Sequence, residues 1–192
     1  KQWLQNTLEG ATTIILHNGV KFDLVMLKLF GILEYTVSYP KADEVTKDSA
    51  NGTIFGKPVQ IVDTLLWSRL FYPDRFAGHS LGAWGKTLGD FKGDFKEFDK
   101  YSQEMLDYCI QDTQVTKLVY QKLLHDWNSW SWELAYSMEV KLADLAINRE
   151  VFGFAFDREK ALRCVADLDE RLSKLQHKVN PILPPKRLNK GE

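Results

Sequence analysis

Two short apolar runs, each followed directly by a helical pattern, constrain the fold of this chain of 192 residues most strongly. The first run, 12–16, is rich in β-branched residues and leads through a turn into a predicted helix over 23–30. The second run, 59–62, leads into a capped helix over 63–70. Strands that alternate with helices favour an α/β sheet flanked by helices. Two strands are too few for an independent sheet, so we expect further strands before Lys1.

The rest of the chain is predicted to be mainly helical, with polar connections. The further predicted elements are a surface segment over 43–57 with Asn51-Gly52 as a hairpin or loop tip, a helix from Ser80 to Gly89, a long helix from Ser102 to about Leu124, a helix over 133–148, a short strand over 150–157 and a charged helix over 158–179.

Composition predicts a soluble, globular protein without a membrane partner. Hydrophobic residues make up 44% of the chain, and no apolar run approaches the length of a membrane span. The net charge of -1 gives no overall basic field, although a balanced total still allows local basic patches. Cys109 and Cys164 are isolated thiols, which indicates a reducing compartment and no structural zinc site. Because Lys1 is not a start residue, we expect an internal piece of a longer protein.

The long helix places a carboxylate and a phenol one turn apart, at Asp112 and Tyr108. Both belong to a stripe at helical spacing, which predicts that they face the core. The other members of this stripe are Met105, Cys109, Thr116, Val119 and Leu123. Burying an unpaired carboxylate costs several kcal/mol, so the stripe implies a compensating cation, a hydrogen-bond network or a metal for Asp112. Each residue also has a purely structural interpretation. Asp112 could be a buried aspartate bonded to a lysine or to backbone amides, and Tyr108 could be a core tyrosine whose hydroxyl has a partner.

Two further aspartates, Asp23 and Asp63, stand at the ends of predicted strands, where side chains of α/β active sites commonly emerge. Each also has a purely structural interpretation as the N-cap of the following helix. His17 and His79 are isolated histidines, for which a structural role is the more common one. Asn18 either holds the turn after the first strand or contacts substrate.

Taken in order, His-Asn-x-x-x-Phe-Asp at 17–23 and Tyr-x-x-x-Asp at 108–112 resemble the second and third motifs of 3′-to-5′ proofreading exonucleases. The whole chain is similar to the proofreading region of the family A replicative DNA polymerases of T-seven-like podophages. Further residues that carry the resemblance are 61–65, 78–85, 88–89, Lys92-Gly93, Glu150, Gly153, Phe156 and Asp157.

The resemblance implies a ribonuclease-H-like 3′-5′ exonuclease fold that lacks its first strands here and is followed by the start of a polymerase domain. The implied domains are an exonuclease domain over 1–125, a connector helix over 126–149 and the beginning of the polymerase domain over 150–192. Implied partners are DNA at the primer 3′ end, the remainder of the polymerase chain and, from the family alone, host thioredoxin. The implied location is the cytoplasm of an infected bacterial host.

The resemblance also assigns roles at a site with two Mg²⁺ ions, for which Mn²⁺ is an alternative. Asp23 and Asp112 would bind metal, since magnesium prefers hard oxygen ligands. Tyr108 would orient the attacking water, which makes Asp23, Tyr108 and Asp112 the catalytic set, and Asn18 would contact nucleic acid. The family also holds the terminal base between apolar side chains, and leucines and phenylalanines near Asp23 are candidates.

One family motif is missing from the chain: the Asp-x-Glu of the first strand, which should precede Asn18 by several dozen residues. Two explanations follow, an N-terminal part that is absent from this sequence or an incomplete exonuclease site. The leading hypothesis is a proofreading exonuclease segment. One rival is an inactive exonuclease-fold scaffold that binds DNA. The other is a stand-alone RNA-trimming exonuclease, which the segment 150–157 and the helix after it disfavour.

Overall fold

The computed structural model describes residues 2–38, 41–46, 49–89 and 95–183. The chain divides into two compact units, Lys1–Val151 and Phe152–Glu192. The candidate site lies entirely in the first unit. The predicted domain limits at 125 and 149 stay predictions, and Lys92-Gly93 lies outside the described residues. None of the described helices is long and apolar enough to cross a membrane.

The described elements alternate between helices and short strands. In chain order they are α1 (Gln2–Glu9), β1 (Thr13–Leu16), α2 (Asp23–Leu29), β2 (Tyr35–Val37), a 3₁₀ turn (Ala42–Glu44), β3 (Gly52–Ile54), β4 (Lys57–Asp63), α3 (Thr64–Phe71), α4 (Leu81–Leu88), α5 (Gln103–Ser129), α6 (Glu133–Phe152) and α7 (Arg158–Val179).

The described strands form one mixed sheet in the order β1-β4-β3-β2. β1 pairs with β4 in parallel, and the pairs β4–β3 and β3–β2 are antiparallel. The parallel register aligns Leu16 with Asp63, so β1 and β4 end side by side. Helix α5 packs against β1, α3 and α4. This architecture confirms the predicted α/β class.

The prediction of a surface segment over 43–57 with its tip at Asn51-Gly52 is wrong, because this segment contains β3. Its expected tip is part of the core: Asn51 is buried, donates to the carbonyl of Ile61 at 2.8 Å and accepts from the Ile61 N–H at 2.7 Å. The actual turn is Phe55-Gly56, where both residues have positive φ. The Asn51 side chain thus makes the two hydrogen bonds to the Ile61 backbone that a neighbouring strand would otherwise make. Polar composition alone does not reveal this role.

Three helices begin directly after the capping residues that the sequence predicts. The side chains of Asp63, Ser80 and Ser102 accept backbone N–H bonds at the starts of α3, α4 and α5. The predicted strand over 150–157 is wrong, since α6 continues to Phe152 and the chain then turns at Gly153, with φ 72°. α5 also extends beyond its predicted end, to Ser129.

An aromatic cluster holds α3, α5 and α6 together at the centre of the core. Trp67 is 2% exposed and stacks on Trp127 with ring centroids 4.9 Å apart. Tyr136 contacts both rings edge-on, at 5.9 and 5.7 Å. These large buried surfaces hold α5 and α6 against α3, the helix that follows β4.

Candidate functional site

A single buried carboxylate organises the loop after β1. Asp63 Oδ1 accepts from the backbone N–H groups of Asn18, at 2.9 Å, and Leu65, at 3.0 Å, while Oδ2 accepts from Val20 at 3.1 Å. The parallel register makes this possible, because it sets Asp63 beside the end of β1. The structure therefore supports the capping interpretation of Asp63 and adds a second function, that of tying the loop to α3.

The turn at Asn18-Gly19 requires these two residue types. Asn18 has φ 66°, a left-handed conformation that asparagine tolerates better than most residues. A Cβ at Gly19 would lie 2.2 Å from the Leu16 side chain, so a larger residue cannot fit without movement. Asn18 is exposed and is not among the residues that line the cavity described below, and its proposed contact with nucleic acid stays a prediction.

The charge on Asp63 is under opposing influences. Burial raises the pKa of Asp63, and the backbone N–H groups that it accepts oppose this shift by stabilising the anion. Its own backbone N–H donates to the Tyr136 hydroxyl at 2.7 Å, and that hydroxyl donates to the carbonyl of Ile61 at 2.9 Å. Helix α6 therefore supports the end of β4 from the other side.

Each of the two histidines singled out in the sequence has a polar partner. The Thr64 hydroxyl donates to the Leu16 carbonyl at 2.9 Å, so it accepts from Nδ1–H of His17, also at 2.9 Å. His79 Nδ1 bonds to the buried Ser68 hydroxyl at 2.8 Å. Of the two, His17 lines the cavity that contains the predicted catalytic residues, and His79 does not.

The two motifs, more than eighty residues apart, meet at one cavity of about 770 Å³, which we call the α2/α5 cavity. Asp23, from the start of α2, lines it together with Tyr108 and Asp112 from α5. The remaining lining residues are Ile15, Leu16, His17, Phe22, Leu81, Phe98, Cys109, Thr113, Thr116 and Lys117. All three residues of the predicted catalytic set therefore share one surface.

Asp23 does not cap its helix. The N-cap position of α2 is Phe22, and no side chain makes a capping hydrogen bond there, so the N-cap interpretation of Asp23 is wrong. Burial raises the pKa of the Asp23 carboxyl, its own backbone N–H opposes this, and repulsion from Asp63 raises it further. A carboxylate in this environment would be stabilised by a cation.

The face of α5 that carries Tyr108 and Asp112 is only half-buried, which corrects the prediction of a core-facing stripe. Cys109 is exposed, and the fully buried residues of α5 begin at Val115 and continue through Val119 and Leu123. The physical reason is that the first turns of α5 border the α2/α5 cavity, whereas its later turns pack into the core. Helical spacing predicted which residues share a face but not what that face meets.

Aromatic side chains surround Tyr108 on the segment that leads into α5. Phe95 and Phe98 lie 5.7 and 5.9 Å from the Tyr108 ring and 5.1 Å from each other, between ring centroids. Phe98 is 52% exposed and Phe22 is 60% exposed, and both line the cavity. Sequence reasoning missed Phe98. Its only signal is a pair of phenylalanines three residues apart in a polar segment.

Asp23 and Asp112 are of the ligand type that a hydrated divalent cation takes, but the described residues do not make a complete two-metal site. Mg²⁺ is commonly held by one or two carboxylates, with water and substrate phosphates as its other ligands. Asp23 and Asp112 supply two such carboxylates on the cavity. Within the described part of the chain, no group of three or more His, Cys, Asp or Glu side chains could hold a metal. A second ion would need ligands from outside these residues.

Comparison with known proteins gives two phage enzymes with similar sequences. The chain is 27% identical to the DNA-directed DNA polymerase of Escherichia phage T7 over an alignment that covers 86% of this chain and 29% of that protein. It is 27% identical to the DNA-directed DNA polymerase of Enterobacteria phage T3 over an alignment that covers 90% of this chain and 30% of that protein. The chain thus spans less than a third of the length of these curated relatives. No family model and no solved structure matches it. Over most of its length, the chain is similar to the DNA polymerases of these two phages, as its motifs predicted.

Proposed function

We propose that this chain is the proofreading segment of a phage DNA polymerase. In this proposal, nucleotides are hydrolysed from the 3′ end of DNA in the α2/α5 cavity. The observation that carries the proposal is the meeting of Asp23, Tyr108 and Asp112 on one cavity. The names of the two relatives add DNA as the substrate polymer. A ribonuclease-H-like arrangement of the exonuclease region is part of the same proposal.

Hydrolysis of a phosphodiester needs a nucleophilic water and stabilisation of the leaving 3′-oxygen. A bound divalent cation supplies both by polarising oxygen. Asp23 and Asp112 would hold it. Burial and repulsion from Asp63 disfavour the charged form of Asp23, as its raised pKa indicates, and a nearby cation would stabilise that charged form. Mg²⁺ is the proposed ion and Mn²⁺ the alternative.

Tyr108 would position the attacking water. It lies one helical turn before Asp112 on the same side of α5, so a hydroxyl and a carboxylate reach the cavity from one rigid element. The contacts with Phe95 and Phe98 restrict the Tyr108 ring. A fixed hydroxyl contributes to catalysis because the water need not be ordered at the moment of reaction.

The cavity walls suit an unpaired 3′ end better than a duplex. Exposed Phe22 and Phe98 offer aromatic faces on which unstacked bases bind without sequence preference. The volume of about 770 Å³ falls within the roughly 300–1,000 Å³ of pockets that take small ligands, so a terminal nucleotide fits. These observations support Phe22 among the base-holding candidates near Asp23, and they add Phe98 from the segment before α5.

The test uses the full-length protein as it is naturally encoded, with a 3′-mismatched DNA primer and Mg²⁺. Asp112→Asn is expected to slow nucleotide release at least about a hundredfold, which corresponds to ~3 kcal/mol of lost transition-state stabilisation. The matched control is Asp107→Asn, on the same helix but exposed and outside the cavity lining. Unchanged release in Asp112→Asn would refute the catalytic assignment.

A second candidate function is an inactive exonuclease-fold scaffold that holds DNA within the polymerase. The specific observation in its favour is that the described residues at the cavity include only two carboxylates, Asp23 and Asp112, which are too few for a two-metal site. The two functions separate in one experiment: a scaffold binds single-stranded DNA but releases no nucleotide in Mg²⁺ or Mn²⁺. An all-ribose primer in the same assay tests the RNA-trimming alternative. Thioredoxin as a partner stays a prediction.

A further inference from the structure

We infer that Lys117 binds a backbone phosphate of the DNA strand in the α2/α5 cavity and so positions the strand for hydrolysis. The inference rests on the proposed function and names a contact that the motifs do not include. Lys117 lies on α5, five residues after Asp112, where it is exposed and lines the cavity.

A DNA strand entering this cavity meets negative charge. Two carboxylates, Asp23 and Asp112, line it, and Asp63 is close enough to Asp23 to raise the pKa of that carboxyl. The proposed divalent cation offsets the charge of the two carboxylates that would hold it, and each further phosphate of the strand still needs a cation of its own. Among the described residues that line the cavity, Lys117 is the only lysine or arginine.

Lys117 is available for this contact. It forms no ion pair with any residue that the structure describes, in contrast to lysines such as Lys57 and Lys174, which have glutamate partners. An unpaired ammonium gives up no protein contact when it meets a phosphate. It also keeps three donors on a flexible stem, which suits a phosphate whose exact place varies along a moving strand.

The neighbouring hydroxyls cannot do the same work in their present arrangement. The Thr113 hydroxyl donates to the Ile110 carbonyl at 2.7 Å, and the Thr116 hydroxyl donates to the Asp112 carbonyl at 2.8 Å. A hydroxyl has one hydrogen, so both threonines can only accept further bonds, as phosphate oxygens also do. The ammonium of Lys117 is therefore the charged donor on this wall of the described cavity.

The place of Lys117 on α5 indicates a positioning residue rather than a catalytic one. Five residues of α-helix correspond to about 7.5 Å along the axis. Lys117 is thus more than one turn beyond Asp112, where it can meet a phosphate beside the scissile one. Its contact should form equally in the bound substrate and in the transition state, which strengthens binding without changing the chemical step.

The experiment compares Lys117→Ala, Lys117→Arg and Lys122→Ala in the full-length protein. Lys122 is a matched control, an exposed lysine on the same helix that does not line this cavity. Lys117→Ala is expected to raise the KM for a single-stranded oligonucleotide about tenfold with little change in kcat, because one charge-assisted phosphate contact is lost. Lys117→Arg should restore binding, and Lys122→Ala should match the wild type.

A second readout separates this inference from the proposed function. In the Asp112→Asn background without hydrolysis, Lys117→Ala should reduce the slope of log binding constant against log salt by about 0.7, the value for one phosphate on a single strand. An unchanged slope, or equal effects of Lys117→Ala and Lys122→Ala, would overturn the role of Lys117 alone. Full hydrolysis by the Asp112→Asn protein would instead overturn the proposed function.

Discussion

Asp63→Ala should destabilise the first unit more than the loss of an ordinary helix cap. The Asp63 carboxylate is 1% exposed and accepts the N–H groups of Asn18, Val20 and Leu65. It therefore links the end of β1, the loop that leads to Asp23 and the start of α3. Alanine removes both acceptor oxygens, and with them all three hydrogen bonds, and leaves no side-chain atom that could replace them.

The size of the effect follows from which donors water can reach. Asn18 is exposed, so water can replace its lost acceptor, whereas Val20 and Leu65 are buried, at 1% and 9% exposure. Two buried N–H groups without acceptors cost ~2–6 kcal/mol together. Part of this is offset, because alanine also removes a carboxylate that burial disfavours. We expect a net loss of ~2–4 kcal/mol in the free energy of unfolding, a large part of a typical total.

The assay is urea unfolding at pH 7, followed by tryptophan fluorescence, with two comparison variants. Asp63→Asn keeps an oxygen for Asn18 and Leu65 and loses only the bond from Val20, so it should cost ~1–2 kcal/mol. Ser80→Ala removes an exposed cap that accepts a single N–H bond, from Ala83 at 3.2 Å, and should cost ~0.5–1 kcal/mol. An Asp63→Ala protein no less stable than Ser80→Ala would refute the reasoning.

Two further predictions concern the α2/α5 cavity. Burial raises the folded-state pKa of Asp23 above its ordinary value of 3.8, so wild-type stability is lost as pH rises through the raised pKa. Asp23→Asn should therefore have a larger free energy of unfolding in urea than the wild type at pH 7, and this difference should vanish below pH 3.8. A difference that does not change with pH would contradict this prediction. Single-stranded DNA should protect Cys109, which lines the cavity, from iodoacetamide but leave the exposed Cys164 reactive. Mass spectrometry of the two labelled peptides measures this, and equal labelling of Cys109 with and without DNA would count against the site.

Local rules predicted much of the fold because the residues concerned act on their immediate neighbours. Asp63, Ser80 and Ser102 cap the helices that they precede, and Gly89 ends α4 in a left-handed conformation, with φ 79°. The strands β2 and β3 could not be predicted, since each has three residues, too few to show an alternating pattern. Their pairing depends on contacts such as that between Asn51 and Ile61, which only the fold brings together.

The meeting of Asp23, Tyr108 and Asp112 was predictable from motif spacing, but the other residues that line the cavity were not. Asp23, Tyr108 and Asp112 were identified from residue type and order, and the structure places them on one cavity. Phe98 and Lys117 were not identified, because exposed aromatic and basic residues are common and nothing in the sequence shows that these two share a surface with Asp112. Only the packing of α5 beside β1 reveals that they line the same space.

We propose that Asp23 and Asp112, from two distant motifs, act as one catalytic unit. The direct measurement is the rate of nucleotide release from a DNA 3′ end in Mg²⁺ by Asp23→Asn, Asp112→Asn and the double variant of the full-length protein. Groups that act as a unit give non-additive losses. We predict that each single change lowers kcat about a hundredfold or more and that the double variant is within about threefold of the slower single variant. Losses that multiply in the double variant, or a single variant with wild-type kcat, would contradict the account.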